Sequence, residues 1–179
     1  MINRDRLAKL RAIEDERFLQ LHPKSGELFK QGQAHMPGGV PMSWMAKWPG
    51  AYPIFVQEAK GARFTDVDGN SYIDFCLGDT GSMTGHSPDA TVAAIREQVG
   101  KGITAMLPTA DAAIVSAELS KRFGLPLWQF TVSATDANRH VIRYSRMITG
   151  RSKIVVIDRC YHGSVDETFA TLDSAGNTV

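Results

Sequence analysis

Two short runs in the last third of the chain bring together hydroxyls, an aromatic ring and an imidazole: Ser133-Ala134-Thr135 and Cys160-Tyr161-His162-Gly163. A turn with two hydroxyls and small side chains, placed where a helix begins, offers backbone N–H groups and the positive end of the helix dipole to an anion such as a phosphate. Asp136 and Asn138 suit the first turn of that helix. The same residues would serve equally as ordinary helix caps, and the pattern by itself leaves both roles open. Tyr161 would set a planar ring beside the turn, which suits a cofactor carrying both a ring and a phosphate. His162, and His86 in T-G-H-S-P, are each as consistent with a hydrogen-bonded structural histidine as with a ligand-facing one.

These residues meet only if the surrounding elements deliver them to one edge. Leu127–Val132 (L-W-Q-F-T-V) and Lys153–Asp158 (K-I-V-V-I-D) predict two strands flanking a helix from about Asp136 to Thr149, closed by Gly150. The second strand is apolar throughout its middle, as in a sheet covered on both faces. A strand, helix, strand order of this length predicts a parallel, right-handed crossover and makes the fold class α/β. Ligands of open α/β sheets bind at the carboxyl edge, where both runs would arrive. Upstream, Ser87 as a cap and Pro88 at the first helical position predict a helix carrying Val92, Ile95 and Val99, and a second helix runs from Thr109 to Gly124. Ile54–Leu77 reads as short antiparallel strands broken at Lys60-Gly61 and Asp68-Gly69-Asn70. Residues 3–21 form an amphipathic helix ending before Pro23, and Lys30–Tyr52 is an irregular loop rich in Gly, Pro, Met and Trp.

Composition narrows the function classes. In 179 residues, 20 Lys and Arg against 19 Asp and Glu give a net charge of +1, which supplies no electrostatic reason for a nucleic-acid or anionic-membrane partner. No apolar run approaches a membrane span, and the charged stretch Met1–Arg17 lacks the apolar core of a signal peptide, so a cytoplasmic location is expected. Cys76 and Cys160 stand outside any metal-ligating or disulfide spacing, and buried thiols are expected.

S-A-T-D-A-N (Ser133 to Asn138), R-M-I-T-G-R-S-K-I-V (Arg146 to Val155) and C-Y-H-G (Cys160 to Gly163) resemble the class III pyridoxal-phosphate aminotransferases, nearest the glutamate-1-semialdehyde aminomutase-like branch. M-P-G-G-V (Met36 to Val40), D-V-D-G-N-S-Y-I-D (Asp66 to Asp74) and G-H-S-P (Gly85 to Pro88) follow the family's order, so the resemblance covers about residues 30 to 170. It implies a fold type I enzyme, with residues 1–78 as an N-terminal segment and 79–179 as the first part of the large parallel-sheet domain. It implies pyridoxal 5'-phosphate as cofactor, its phosphate held by Ser133, Ala134 and Thr135, Tyr161 against its ring and His162 close by. Aminotransfer between an amine or amino acid and a keto acid is the implied reaction, in a homodimer to which residues 80–110 contribute across the interface. An aminomutase, racemase or lyase on the same fold, or a non-catalytic binding fragment, are the alternatives.

Three departures stand out. Ala134 replaces the family's glycine and Asp136 its glutamate. After M-P-G-G-V, where carboxylate-substrate members present an arginine, this chain reads P-M-S-W-M-A-K-W, which makes Trp44 and Met45 candidates for an apolar substrate pocket. The family's Schiff-base lysine, and the aspartate that pairs with the pyridine nitrogen, match no position up to Val179, so no residue here is assigned as catalytic and an N-terminal piece is expected.

Overall fold

A computed structural model describes residues 3–179, in two compact units that divide between Thr104 and Ala105. In the first, helix α1 (Arg4–Leu21) begins at Asn3, whose side chain accepts the N–H of Arg6 at 2.9 Å, and ends before Pro23 as predicted. Its apolar residues Leu7, Leu10 and Ile13 are exposed, while Phe18 near its end packs against His22 and Tyr52. Pro23 opens a second helix, α2 (Pro23–Gln33), which the sequence reading did not place and which takes Lys30–Gln33 out of the predicted loop. Its start is secured from a distance. The carboxylate of Asp68 accepts the N–H groups of Lys24 (2.7 Å) and Ser25 (3.1 Å) and the Ser25 hydroxyl (2.7 Å). A carboxylate at a helix N-terminus also meets the positive end of the dipole. Burial favours the neutral acid, but these bonds outweigh it and hold Asp68 below the ordinary carboxylate range.

M-P-G-G-V then folds back on α2 as a 3-10 turn (Pro37–Gly39), and a Cβ on Gly32 would collide with the Gly39 carbonyl oxygen. Glycine at both positions permits that backbone approach. Ser43–Ala46 makes a second 3-10 turn, and the rest of the loop is irregular as expected. Strands β1 (Val56–Lys60), β2 (Arg63–Asp66) and β3 (Ser71–Ile73) form the predicted antiparallel sheet in that order, turning at the predicted residues. Phe64 pairs with Tyr72 across the ladder, their rings stacked at 4.9 Å.

At the heart of this unit lies a carboxylate. Asp66, 1% exposed, accepts the N–H groups of Asp68 (3.0 Å) and Asn70 (2.8 Å), the Asn70 amide (3.0 Å) and the Tyr72 hydroxyl (2.9 Å). Burial pushes its carboxyl up, but these four donors outweigh burial and hold it below the usual range. Burial and the same bond push Tyr72 up to about 12. Buried His22 donates Nδ1–H to the Phe18 carbonyl at 2.8 Å, and its Nε2 lies 2.7 Å from the Tyr72 hydroxyl.

Helix α3 (Asp89–Val99) starts one residue later than expected, because Ser87 does not cap it. Ser87 is left-handed (φ 48°) and donates its hydroxyl to the Ala59 carbonyl at 3.0 Å. Lys60 binds the Ser87 carbonyl (2.8 Å) and the Asp89 carboxylate, and Gly61 bridges His86. Those contacts tie residues 86–89 to the β1–β2 turn, and the first compact unit runs to Thr104.

In the second unit, α4 (Ala110–Phe123) and α5 (Ala134–Thr149) end at Gly124 and Gly150 as predicted, and a 3-10 turn covers Asp166–Thr168. The expected strands do not form: Leu127–Val132 and Lys153–Asp158 make no ladder among the described residues, and Val132 and Val155 are each 97% exposed. A strand is stable only when neighbours satisfy its backbone and cover its faces, and the described residues supply neither. For the same reason the thiols expected to be buried are exposed: Cys76 follows the short edge strand β3 and Cys160 follows the unpaired segment. Among the described residues no helix is long and apolar enough to cross a membrane.

Replacing Asp66 with Ala leaves four donors without their acceptor and is expected to destabilise the protein by about 3 kcal/mol at neutral pH, read from the urea midpoint. Because the folded carboxyl lies below its unfolded value, this stabilisation is complete above the ordinary carboxylate range. It is lost as pH falls through the folded value, so the gap between wild type and Asp66→Ala should close in acid.

Candidate functional site

The hydroxyl turn and the Tyr161 loop belong to the same unit, and the structure brings them into contact. Ser133 is the N-cap of α5, with extended backbone, and its Oγ accepts the Asp136 N–H at 3.2 Å. The Ala137 N–H bonds the Ser133 carbonyl at 3.0 Å. The two N–H groups before these, on Ala134 and Thr135, point out of the helix end and have no acceptor within it. Ala134 is the first helical residue, a position where alanine costs nothing in backbone freedom. The turn is therefore a cap whose first two N–H groups find no acceptor within the helix.

Thr135 joins this turn to the next loop. Its Oγ1 accepts the N–H of Ser164 at 3.1 Å, which leaves the hydroxyl proton available for another acceptor. Gly163 (φ +85°) lies directly on it: a Cβ there would stand 2.7 Å from Thr135 Oγ1 and 2.9 Å from Thr135 Cα. One position earlier, the His162 carbonyl accepts the Asn138 side-chain amide at 2.8 Å. Tyr161 is 75% exposed beside these contacts, and His162 is half-buried. Hydroxyls and outward N–H groups thus occupy one edge of α5, with the loop that carries exposed Tyr161 held against it, residue types that suit a ligand with a phosphate and a planar ring. Sequence reasoning gave Asn138 only a first-turn role and did not single out Gly163. The usable signals were an asparagine inside a helix, which normally seeks a hydrogen bond elsewhere, and a glycine after Y-H.

The remaining candidates lie in the first unit. His86 does not pack on the helix it precedes; its Nε2 donates to the Asp74 carboxylate at 2.6 Å, and its Nδ1 lies 3.3 Å from the Ser82 hydroxyl. The His86 bond, with the N–H groups of Cys76 (2.7 Å) and Leu77 (3.1 Å), holds the Asp74 carboxyl below the ordinary range. This clasp brackets a left-handed run, Leu77 to Thr80. Trp44 and Met42 are exposed on and before the Ser43–Ala46 turn, and Met45 is half-buried.

Residues 44–178 match the aminotransferase class-III family. A glutamate-1-semialdehyde 2,1-aminomutase of Methanocaldococcus jannaschii is 38% identical over 144 residues, covering 80% of this chain and 33% of that protein. Among solved structures, a glutamate-1-semialdehyde aminomutase from Pseudomonas aeruginosa superposes at a TM-score of 0.92 with 49% identity, covering 99% of this chain and 39% of that one. A transaminase with pyridoxal phosphate bound reaches 0.78 at 34% identity, over 88% of this chain and 37% of that one. The chain spans about a third of the length of the curated relatives it matches.

Gly163→Ala should displace the loop from Thr135 and destabilise the protein by about 2 kcal/mol, from forced left-handed backbone plus the collision. The shift would be read by thermal unfolding, with a similar substitution at Gly176, whose Cβ would meet nothing within 4 Å, as the control for backbone strain alone.

Proposed function

This chain belongs to the class-III aminotransferase family, and from that premise we propose that it is the N-terminal part of a pyridoxal-phosphate-dependent enzyme that moves an amino group between an amine or amino acid and a keto acid. The observation that supports the cofactor assignment is the joined edge of α5, where the Thr135 hydroxyl holds the loop that follows Tyr161-His162 against a helix end with outward N–H groups. In this reading residues 1–78 are the N-terminal segment and 79–179 the opening of the large α/β domain of fold type I. It makes the complete protein a cytoplasmic homodimer acting on small molecules, with residues 80–110 at the dimer interface.

Pyridoxal phosphate, when bound, supplies the electron sink that weakens the Cα–H bond of an amine. This chain supplies grip and orientation. The N–H groups of Ala134 and Thr135 and the Ser133 and Thr135 hydroxyls would hold the phosphate, in a field favourable to an anion. Tyr161 would lie against the cofactor ring and limit its tilt. His162 stays at the edge through its main chain, and no proton transfer is assigned to it. Trp44 and Met45 stay candidates for an apolar substrate surface, because the stretch from Pro41 to Pro49 holds no arginine for a carboxylate clamp and Trp44 and Met42 are exposed. A second reading, intramolecular amino transfer as in an aminomutase, is favoured by the names of the relatives at 38% and 49% identity.

In the complete protein, Thr135→Ala and Tyr161→Ala should each weaken pyridoxal phosphate binding roughly tenfold in equilibrium titration. Unchanged affinity in both would remove the assignment. A substrate panel separates the two reactions: turnover that requires a keto acid acceptor indicates an aminotransferase, and isomerisation without one indicates an aminomutase.

A further inference from the structure

Asn138 stands in the opening turns of α5, where asparagine contributes nothing to the helix because its short amide competes with the backbone. Its amide is used across space instead. Nδ2 donates to the main-chain carbonyl of His162 at 2.8 Å, 24 residues on, in a partly buried contact. That carbonyl belongs to the residue directly after Tyr161. On the far side of the loop, Ser164 is held by Thr135 and Val165 is fully buried, so the C-terminal half is fixed by contacts of its own. On the near side, Asp158 accepts the Thr171 hydroxyl (2.6 Å) and the Leu172 N–H (3.2 Å), and the Cys160 N–H bonds the Ile157 carbonyl (3.1 Å), while Tyr161 is exposed. The bond from Asn138 is the one that ties the residue next to Tyr161 to α5.

We propose that Asn138 is a positioning residue for the cofactor ring: by holding the His162 carbonyl it sets where Tyr161 stands against the first turn of α5, and it takes no part in gripping the phosphate. The inference rests on the reading that the phosphate occupies the Ser133–Thr135 turn. Its chemistry is one-directional, since a carbonyl can only accept and the side chain at position 138 must donate. Aspartate has nearly the same shape but presents an acceptor, so it turns attraction into repulsion. Glutamine keeps the donor on a longer arm.

The test uses the complete protein and three variants, Asn138→Asp, Asn138→Gln and Thr135→Ala. The readouts are the dissociation constants of pyridoxal phosphate and of inorganic phosphate on cofactor-free protein, and the visible circular dichroism of the bound cofactor. Asn138→Asp is expected to weaken pyridoxal phosphate roughly tenfold and diminish the dichroic band, while inorganic phosphate binding changes by less than about twofold. Asn138→Gln should recover part of both losses. Thr135→Ala should weaken both ligands. The proposal is overturned if Asn138→Asp leaves cofactor affinity and dichroism unchanged, or weakens inorganic phosphate as much as the cofactor. If Thr135→Ala leaves both ligands at full strength, the phosphate assignment itself falls, which the Asn138 variants alone could not reveal. Should Asn138→Asp fail to fold, Asn138→Ser, too short to reach the carbonyl, is scored by the same criteria.

Discussion

Taking a carboxylate out of water is unfavourable by several kcal/mol unless its lone pairs are filled, and at Asp66 they are filled from its own hairpin. Two donors are main-chain N–H groups of the turn, one is the Asn70 amide and one the Tyr72 hydroxyl. Tyr72 in turn touches His22, whose ring bonds the last turn of α1 and whose carbonyl accepts the Tyr52 hydroxyl. The junction of α1 and α2, the hairpin and the chain before β1 are therefore tied to one buried charge. Few apolar side chains in this unit are buried, Val40 among them, so directional bonds specify its arrangement.

The second unit is organised differently. Its long-range contacts gather at the edge of α5, where a helix cap, a threonine hydroxyl, an asparagine amide and a bare glycine draw a distant loop into contact. The division of labour is spatial. The first N–H groups of the helix face outward, while the Thr135 hydroxyl and the Asn138 amide face the loop. A site of this kind depends on the distance between two backbones more than on any single side chain, which is why Gly163 belongs to it although it has no functional group.

Much of this was legible in the sequence, for identifiable reasons. Gly124 and Gly150 end their helices, Lys60-Gly61 and Asp68-Gly69-Asn70 turn the hairpins, and the S-A-T turn opens α5, because each of these is decided by residues within a few positions. Helix α2 escaped because the acceptor for its first N–H groups is Asp68, far along the chain. Ser87 misled because a serine before proline is a good cap in isolation, while here its backbone is left-handed (φ 48°) instead of the extended conformation a cap needs. The strands at 127–132 and 153–158 were read from apolar runs, and such runs report what a segment can bury rather than whether a partner is present. At the site, residue types pointed to Ser133, Thr135 and Tyr161, whereas Asn138 and Gly163 matter through a contact that spacing cannot show.

The capping of α2 by Asp68 also has a kinetic side. A helix of 11 residues nucleates poorly, and its first-turn N–H groups gain their acceptor only after β2 and β3 have closed the turn at Asp68-Gly69-Asn70. Formation of α2 is thus coupled to a hairpin more than forty residues away, which raises the contact order of the N-terminal unit. Helix and hairpin should consolidate in one late, concerted event, with the D-V-D-G-N turn as the step on which both wait.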